Sequence, residues 1–476
     1  MFSLAEYFHN VTVVSPYPVK KPLHFYDEVS LESNLYDAEF YAAEIPSILN
    51  IEQIPFISSL RYFYESGEDT VNYVLTHPNM IELMKSGKKF DACIIENSHF
   101  EALMGLAEIF ECVLITYTTY PSVHLIDRMT GNISPTSFVP NSLLEYTDTM
   151  NFKERFFNTL NTLMEKIFYE FYHLPNQKRL YEKFFPNAHH SFYDVYKNSS
   201  IIFINNNVVI SSPRPYLPNM IDIGGIHVSQ PKPLKKKLQK FLDTANDGVI
   251  IFSMGSLLQG SDWDDVQREA FIEAFRELKQ KVLWKYENET LPNKPSNVKI
   301  SKWLPQSDVL AHENVKLFIT HAGLLGSTEA LIHSVPMLAI PMFGDQHMNA
   351  ANAVVRGYGL QLDYKNLTKD KISDAINEML SNEKYQINAK LWSSRFKDRP
   401  ITPKLSVIYW TKYAVKHKGA FHLRTTGNEL SFIELYSLDV LISMFAIFFT
   451  IIFVCCKIFI KIFKPFSSRN QKVKQQ

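Results

Sequence analysis

Short apolar, β-branched runs recur along the chain and alternate with stretches whose apolar positions fall three and four residues apart. The runs are VTVVSP (11–16), ACIIE (92–96), CVLITY (112–117), IIFINN (201–206), VIIFSM (249–254), VLWKYE (282–287), VKLFIT (315–320) and MLAIPM (337–342). Continuous rather than alternating hydrophobicity marks strands covered on both faces, so the pattern predicts an α/β fold with parallel sheets under helices. Between Trp263 and Gln280, Val266, Ala270, Phe271, Ala274, Phe275 and Leu278 recur at helical spacing, and Thr368 is placed to cap a helix over 370–380. Both read as core helices. SQPKPLKKKLQK (229–240), with two prolines and five lysines, divides the strand–helix series in two and reads as a linker. The expected organisation is a first unit over 1–228, a second over 241–385, and amphipathic closing helices over 386–425.

The two ends pull in different directions. Val440 to Cys456 is 17 residues without a charge, followed by Lys457, Lys461, Lys464, Arg469, Lys472 and Lys474 and preceded by Glu429, Glu434 and Asp439. That predicts a transmembrane helix over 440–456, with the basic tail 457–476 cytosolic and the body luminal. A luminal body requires a leader, yet Met1 to Pro22 lacks a basic start followed by an apolar run. SLAEYFHN followed by VTVVSP reads as a helix end and a strand, as though the motif starts before Met1.

Composition narrows the partners. Lys+Arg and Asp+Glu both number 49, so no basic excess is available for a run of phosphates and nucleic acid is excluded as a partner. Of four cysteines, Cys93 and Cys112 lie inside apolar runs and Cys455 and Cys456 in the terminal stretch, so the chain is not a disulfide scaffold. Glycine is scarce, 16 in 476, which gives weight to those that cluster at strand ends. Sequons stand at Asn10, Asn132, Asn198, Asn288 and Asn366.

Four stretches of the second unit place polar chemistry after strands, where open α/β sheets bind ligands. Gly255 and Ser256 follow VIIFSM with backbone N–H groups and a hydroxyl suited to a phosphate. His321, Gly323 and Gly326 form a strand-to-helix turn, a diphosphate-sized anion site with an imidazole beside it, and Glu329 two turns on suits sugar hydroxyls or pairs with His333 at i,i+4. Gly344, Asp345 and Gln346 offer a carboxylate and an amide to a neutral sugar. Trp303 and Gln306 offer a flat aromatic face and an amide edge to a base.

In order and spacing, WLPQ, FITHAG, Glu329, Pro336 and IPMFGDQ resemble the signature of the UDP-glycosyltransferases, including the membrane-bound animal and insect enzymes. TGNISPTSFVPN (130–141), PRPYLPNMIDIGGIH (213–227), YAVKHKGAFHLR (413–424) and the dibasic KVKQQ tail extend the resemblance. It implies two facing Rossmann-like domains of GT-B type, acceptor site in the first and donor site in the second, plus the C-terminal transmembrane helix. It implies a UDP-sugar as co-substrate, no cofactor or metal, a small lipophilic acceptor, and an endoplasmic-reticulum membrane location, with homo- or hetero-oligomers left open. Trp303 would stack on uracil, Gln306 contact the nucleoside, Ser256, His321 and Gly323 the diphosphate, Glu329 the ribose, and Asp345 and Gln346 the sugar. Ala322 stands where the family often has glycine, and Leu325 where some members have asparagine.

The resemblance also implies inverting transfer, in which a His after the first strand deprotonates the acceptor and an Asp orients that His. By matching, the His falls before Met1 and Glu96 takes the place of the Asp; His9 reads as a helix cap and His99 as a substitute base. Three functions follow: a hexosyltransferase, favouring glucose because 249–260 and 341–347 hold no Lys or Arg; a catalytically inactive UDP-sugar holder or regulatory subunit; and a nucleotide-dependent oxidoreductase, disfavoured because no strand is followed by G-x-G-x-x-G.

Overall fold

The computed structural model describes residues 1–19, 23–32, 56–121, 124–256 and 258–472. The last four residues of the dibasic tail lie outside these. Every strand pairing is parallel, as the unbroken apolar runs predict. In the first half, β1 (Val11–Ser15) pairs with β2 (Tyr26–Ser30), and β3 (Ala92–Glu96), β4 (Val113–Thr118), β5 (Ile202–Ile204) and β6 (Met220–Asp222) form a second sheet in that order. Among the described residues, β1 and β3 each have a strand on one side alone.

The second half holds one six-stranded sheet. Its strands are β7 (Val249–Ser253), β8 (Lys281–Lys285), β9 (Val298–Ser301), β10 (Val315–Thr320), β11 (Met337–Ala339) and β12 (Gly359–Gln361), ordered β12-β11-β10-β7-β8-β9. All five residues of β7 are buried. Phe252 stacks on Phe271 and meets Phe275, Trp284 and Trp263, so the helix Asp265–Arg276 is clamped to the sheet by aromatic packing.

The segment 229–240, expected as a linker, is helical from Lys236. Its helix runs to Asp243 and buries Leu242 with Leu234, Leu238 and Phe241 against the second sheet. The lysines face out while the leucines anchor, so a lysine-rich string hid an amphipathic turn. The closing helices Lys384–Lys397 and Pro403–Lys416 tie the halves together. Trp392 donates to the carbonyl of Arg356 at 2.9 Å, while Val407 and Ala414 pack with Ile115, Ile201 and Phe203 of the first sheet. Arg399 reaches the carbonyl of Gly224 at 2.9 Å.

The expected membrane segment is longer than 440–456. The helix runs Leu438–Lys472, with an apolar stretch over Leu438–Ile462 that is exposed among the described residues. At ~1.5 Å per residue those 25 residues reach ~37 Å, enough to cross a bilayer with tilt.

Cys93 and Cys112, read as apolar strand residues, are joined by a disulfide, with Cα atoms 5.8 Å apart. Within an apolar run a half-cystine and a buried thiol look alike. The bridge closes a loop of 19 residues, which in the chain-entropy relation is worth about 3 kcal/mol. Replacing both cysteines by serine should lower the stability of the first half by that order in denaturant titration. Reductant should produce the same shift in the native chain and none in the variant.

Candidate active site

The chain builds β7, β8 and β9 towards one edge, then crosses over to place β10 on the other side of β7. The carboxyl ends of β7 and β10 are therefore the switch point of the sheet, where no crossover helix blocks the cleft. Gly255 and Ser256 leave β7 here, and His321, Ala322 and Gly323 leave β10. Ser256 is exposed, and the Gly255 N–H turns back to Ser253 Oγ at 3.4 Å.

The imidazole of His321 lies between two glycines. A Cβ at Gly255 would fall 2.6 Å from its Cε1, and one at Gly323 2.4 Å from its Nε2. Gly255 also has φ +85°, a conformation that side chains resist. These glycines thus serve first to admit a ring. Burial, with the positive Lys285 adding to it, pushes the His321 pKa down to about 4, so at neutral pH the ring is uncharged and offers one N–H. A depressed imidazole pKa gives stability that is present above about 6.5 and lost as pH falls towards 4. The difference in thermal midpoint between the native chain and His321→Asn should therefore shrink between pH 7 and pH 4.5; a constant difference would contradict the assignment.

Ala322 has φ +62° and is fully buried, so it holds the left-handed turn that a glycine would adopt without strain. Its carbonyl accepts from Asn349 Nδ2 at 3.0 Å, and the same amide donates to Asp345 at 2.8 Å. Asn349 thereby ties the β10 turn to the loop after β11. Sequence reasoning passed over it, although its i+4 spacing from Asp345 was available. Leu325 is half exposed, and its carbonyl accepts from His227 Nε2 at 3.2 Å.

Gln306 Nε2 donates to Glu329 Oε2 at 2.7 Å, which joins the loop after β9 to the helix Leu324–Ile332. Burial raises the Glu329 pKa, opposed by that hydrogen bond. The i,i+4 pair with His333 is not formed, because His333 Nε2 meets Ser307 Oγ at 3.1 Å. Trp303 leaves 72% of its surface exposed, a large indole face open to solvent. Gln346, expected at the sugar, is buried, and its Oε1 accepts from the N–H groups of Met342 at 2.9 Å and Phe343 at 3.3 Å. Its carbonyl oxygen is thus committed to the loop backbone. Asp345 beside it is half buried, and burial raises its pKa.

Lys285, at the end of β8, is the second residue that sequence reasoning missed. It pairs with Glu287 at 2.6 Å. Among the described residues no group of three His, Cys, Asp or Glu is placed to hold a metal ion.

In the first half, Glu96 ends β3 and accepts from Ser98 at 2.9 Å, Thr119 at 3.1 Å and Tyr117 at 3.2 Å. No imidazole is among its hydrogen-bond partners in the described residues. His99 is not turned towards it as a substitute base. With φ +73° its ring packs 5.1 Å from Tyr64 and 5.8 Å from His173, and burial pushes its pKa down to about 4. His9 closes the first helix through its backbone N–H to Leu4. Of the sequons, Asn132 is buried and donates to Asp127 and Pro215, which removes it as an acceptor of glycan in the folded chain.

Comparison with known proteins bears on the family and the fold. The family model described as UDP-glucoronosyl and UDP-glucosyl transferase matches residues 37–473. UDP-glycosyltransferase UGT5 of Dactylopius coccus is 36% identical over 456 residues, covering 95% of this chain and 86% of that protein. UDP-glucuronosyltransferase 1A8 of Rattus norvegicus is 31% identical over 465 residues, covering 94% and 86%. Among solved structures, the calicheamicin glycosyltransferase CalG4 aligns with a TM-score of 0.55 at 14% identity, covering 87% of this chain and 92% of that one. An anthocyanidin 3-O-glucosyltransferase in complex with UDP aligns at 0.52 and 16%, covering 82% and 86%. These likenesses place the fold in the GT-B class, and with the family match over most of its length the chain belongs to the UDP-glycosyltransferase family.

Proposed function

We propose that the chain binds a UDP-hexose at the β7/β10 switch point and transfers the sugar, with inversion, to a hydroxyl of a small lipophilic acceptor held by the first half. The observation that carries this reading is the convergence of an exposed indole, Trp303, a linked Gln306–Glu329 pair and a ring-lined anion turn on one cleft edge. Uracil would stack on Trp303, with Gln306 at the nucleoside and Glu329 at the ribose. The diphosphate would lie against Ser256, the His321 N–H and the backbone N–H groups from Gly323 onward, and Asp345 with the Gln346 amide would take sugar hydroxyls. Lys285, whose charge reaches His321, is already paired with Glu287, which favours glucose over glucuronate. The family reading calls for no metal.

Glu96, surrounded by three hydroxyls, would orient the base that takes the acceptor proton. A second reading, a UDP-sugar holder without turnover, is favoured by the missing imidazole at Glu96. A panel of UDP-sugars against phenolic and steroidal acceptors separates the two: glucoside formation supports transfer, and UDP binding without any product supports the holder.

For location we infer a single-pass endoplasmic-reticulum protein with a luminal body and cytosolic tail. The disulfide fits an oxidising compartment, and the basic flank of Leu438–Ile462 fits the cytosolic side. Glycan at the exposed Asn198 or Asn366, removable by endoglycosidase, is expected; unmodified sequons throughout a membrane-inserted chain would oppose it.

A further inference from the structure

The helix Phe152–Phe168 is packed inside out. Its buried side chains are Asn158, Thr162 and Glu165. Asn158 donates to the carbonyls of Thr136 and Val139 and accepts from the Asn141 N–H, while the Asn141 amide donates to Glu165 at 2.7 Å and Thr162 at 3.3 Å. The opposite face carries Phe152, Phe156, Leu160, Leu163 and Ile167, and Phe171 extends the row; these six are 40% to 78% exposed. Steps of four and three keep them on one stripe. A helix facing water places its polar and apolar sides the other way round. The stripe presents on the order of 600 Å² of apolar surface, as much as the largest patch of an ordinary monomer.

We infer that this stripe lies on the surface of the bilayer that the chain's own Leu438–Ile462 helix enters. The segment leading to that helix is fastened to the same region of the fold. Asn428 donates to the carbonyl of Lys197 at 3.2 Å, and its backbone is so close to Gly131 that a Cβ there would fall 2.4 Å from the Asn428 nitrogen. Gly131 directly follows the helix His124–Thr130, which packs against Phe152–Phe168. Leu438 is ten positions beyond Asn428, so the membrane entry lies within ~35 Å of this fastening. Phe432 and Ile433, 63% and 53% exposed, extend the apolar surface along that path. A long helix with one polar and one apolar face, held beside an anchor, has the form of an interfacial helix.

The inference rests on reading Leu438–Ile462 as a bilayer anchor, and the test keeps the two apart. A specific protease site placed after Leu430 in the full chain, reconstituted in phosphatidylcholine vesicles, allows the body to be cut from its anchor. The cut native body should stay with the vesicles on flotation, and the Phe156→Glu/Leu163→Glu variant should be released at least tenfold more, with its thermal midpoint and UDP binding unchanged. In the uncut chain, Leu160→Trp fluorescence should be quenched by brominated lipid, and that of Val266→Trp on the second half should not. Release of the native body to the same extent as the variant, or quenching absent at position 160, overturns the inference. So does a vesicle-free native dimer that the variant lacks, since the occupant would then be a second copy. An uncut chain that fails to float overturns the anchor reading itself.

Discussion

Gly323→Ala is expected to weaken UDP binding by roughly 10–100-fold while leaving most of the fold intact. The new methyl would lie 2.4 Å from His321 Nε2, and Gly255 abuts the same Cε1–Nε2 side of the ring, which leaves the ring little room to swing aside. Relief requires displacing either the ring or the turn that carries the anion-facing N–H groups. Such overpacking typically costs about 1–3 kcal/mol, and each 1.4 kcal/mol is tenfold in affinity. Removing the ring separates the two consequences. The double variant His321→Ala/Gly323→Ala should recover the thermal midpoint lost by Gly323→Ala, because the clash is gone, without recovering UDP affinity, because the donor is gone too. Recovery of both would mean that the imidazole does not serve the diphosphate.

The largest stability effect is expected in the other half, at Glu101. This carboxylate is buried, receives Tyr169 OH at 2.7 Å and pairs with His173 at 2.7 Å, with Tyr196 closing on Tyr169 at 3.1 Å. Burial pushes its pKa up, but the charge and hydrogen bond of His173, helped by His99 and Tyr169, outweigh this and hold it at about 2. Glu101→Ala would strand a buried imidazole and a phenol, a loss of about 3–5 kcal/mol. Glu101→Gln keeps an acceptor for Tyr169 and should lose less. The network sits on the π-turn Tyr169–His173, and Gln177 from the next helix holds both the His99 carbonyl at 3.1 Å and the Ala102 N–H at 3.0 Å. The loop after Glu96 is thus fixed from beneath. Denaturant unfolding of the two variants should follow the order native, Gln, Ala; an Ala variant as stable as the native chain would show that the network carries no weight.

How much was legible in the sequence depended on whether a feature is local. Eight of the strands were legible because continuous burial writes itself into the composition of a few residues, and the turn at His321 because scarce glycines stand directly after such a run; β2, β6, β9 and β12, only partly buried, were not. Trp303 was legible as a candidate by its residue type and the WLPQ motif, although the strand before it was not. Glu329 could be placed on its helix, but its partner came from a distant loop, and only the local alternative, His333, was visible in spacing. Gln346 was assigned by residue type to a sugar, yet whether an amide points outward or back to its own loop depends on backbone conformation that residue type does not specify. The Cys93–Cys112 bridge was hidden because two neighbouring strands bury cystine and thiol alike. Which face of the reversed helix Phe152–Phe168 meets the protein is decided by the polar loop 136–141 against it.

The central claim is that the second half is a UDP-sugar site built on Trp303 and the His321 turn, and calorimetric titration of UDP into the detergent-solubilised full chain tests it most directly. The expected result is one UDP bound per chain, independent of added metal, with Trp303→Ala weakening it by the ~1–3 kcal/mol that stacking on an aromatic face supplies and a nicotinamide dinucleotide giving no comparable heat. A chain that binds no UDP, or binds it equally well without the indole, would contradict the account.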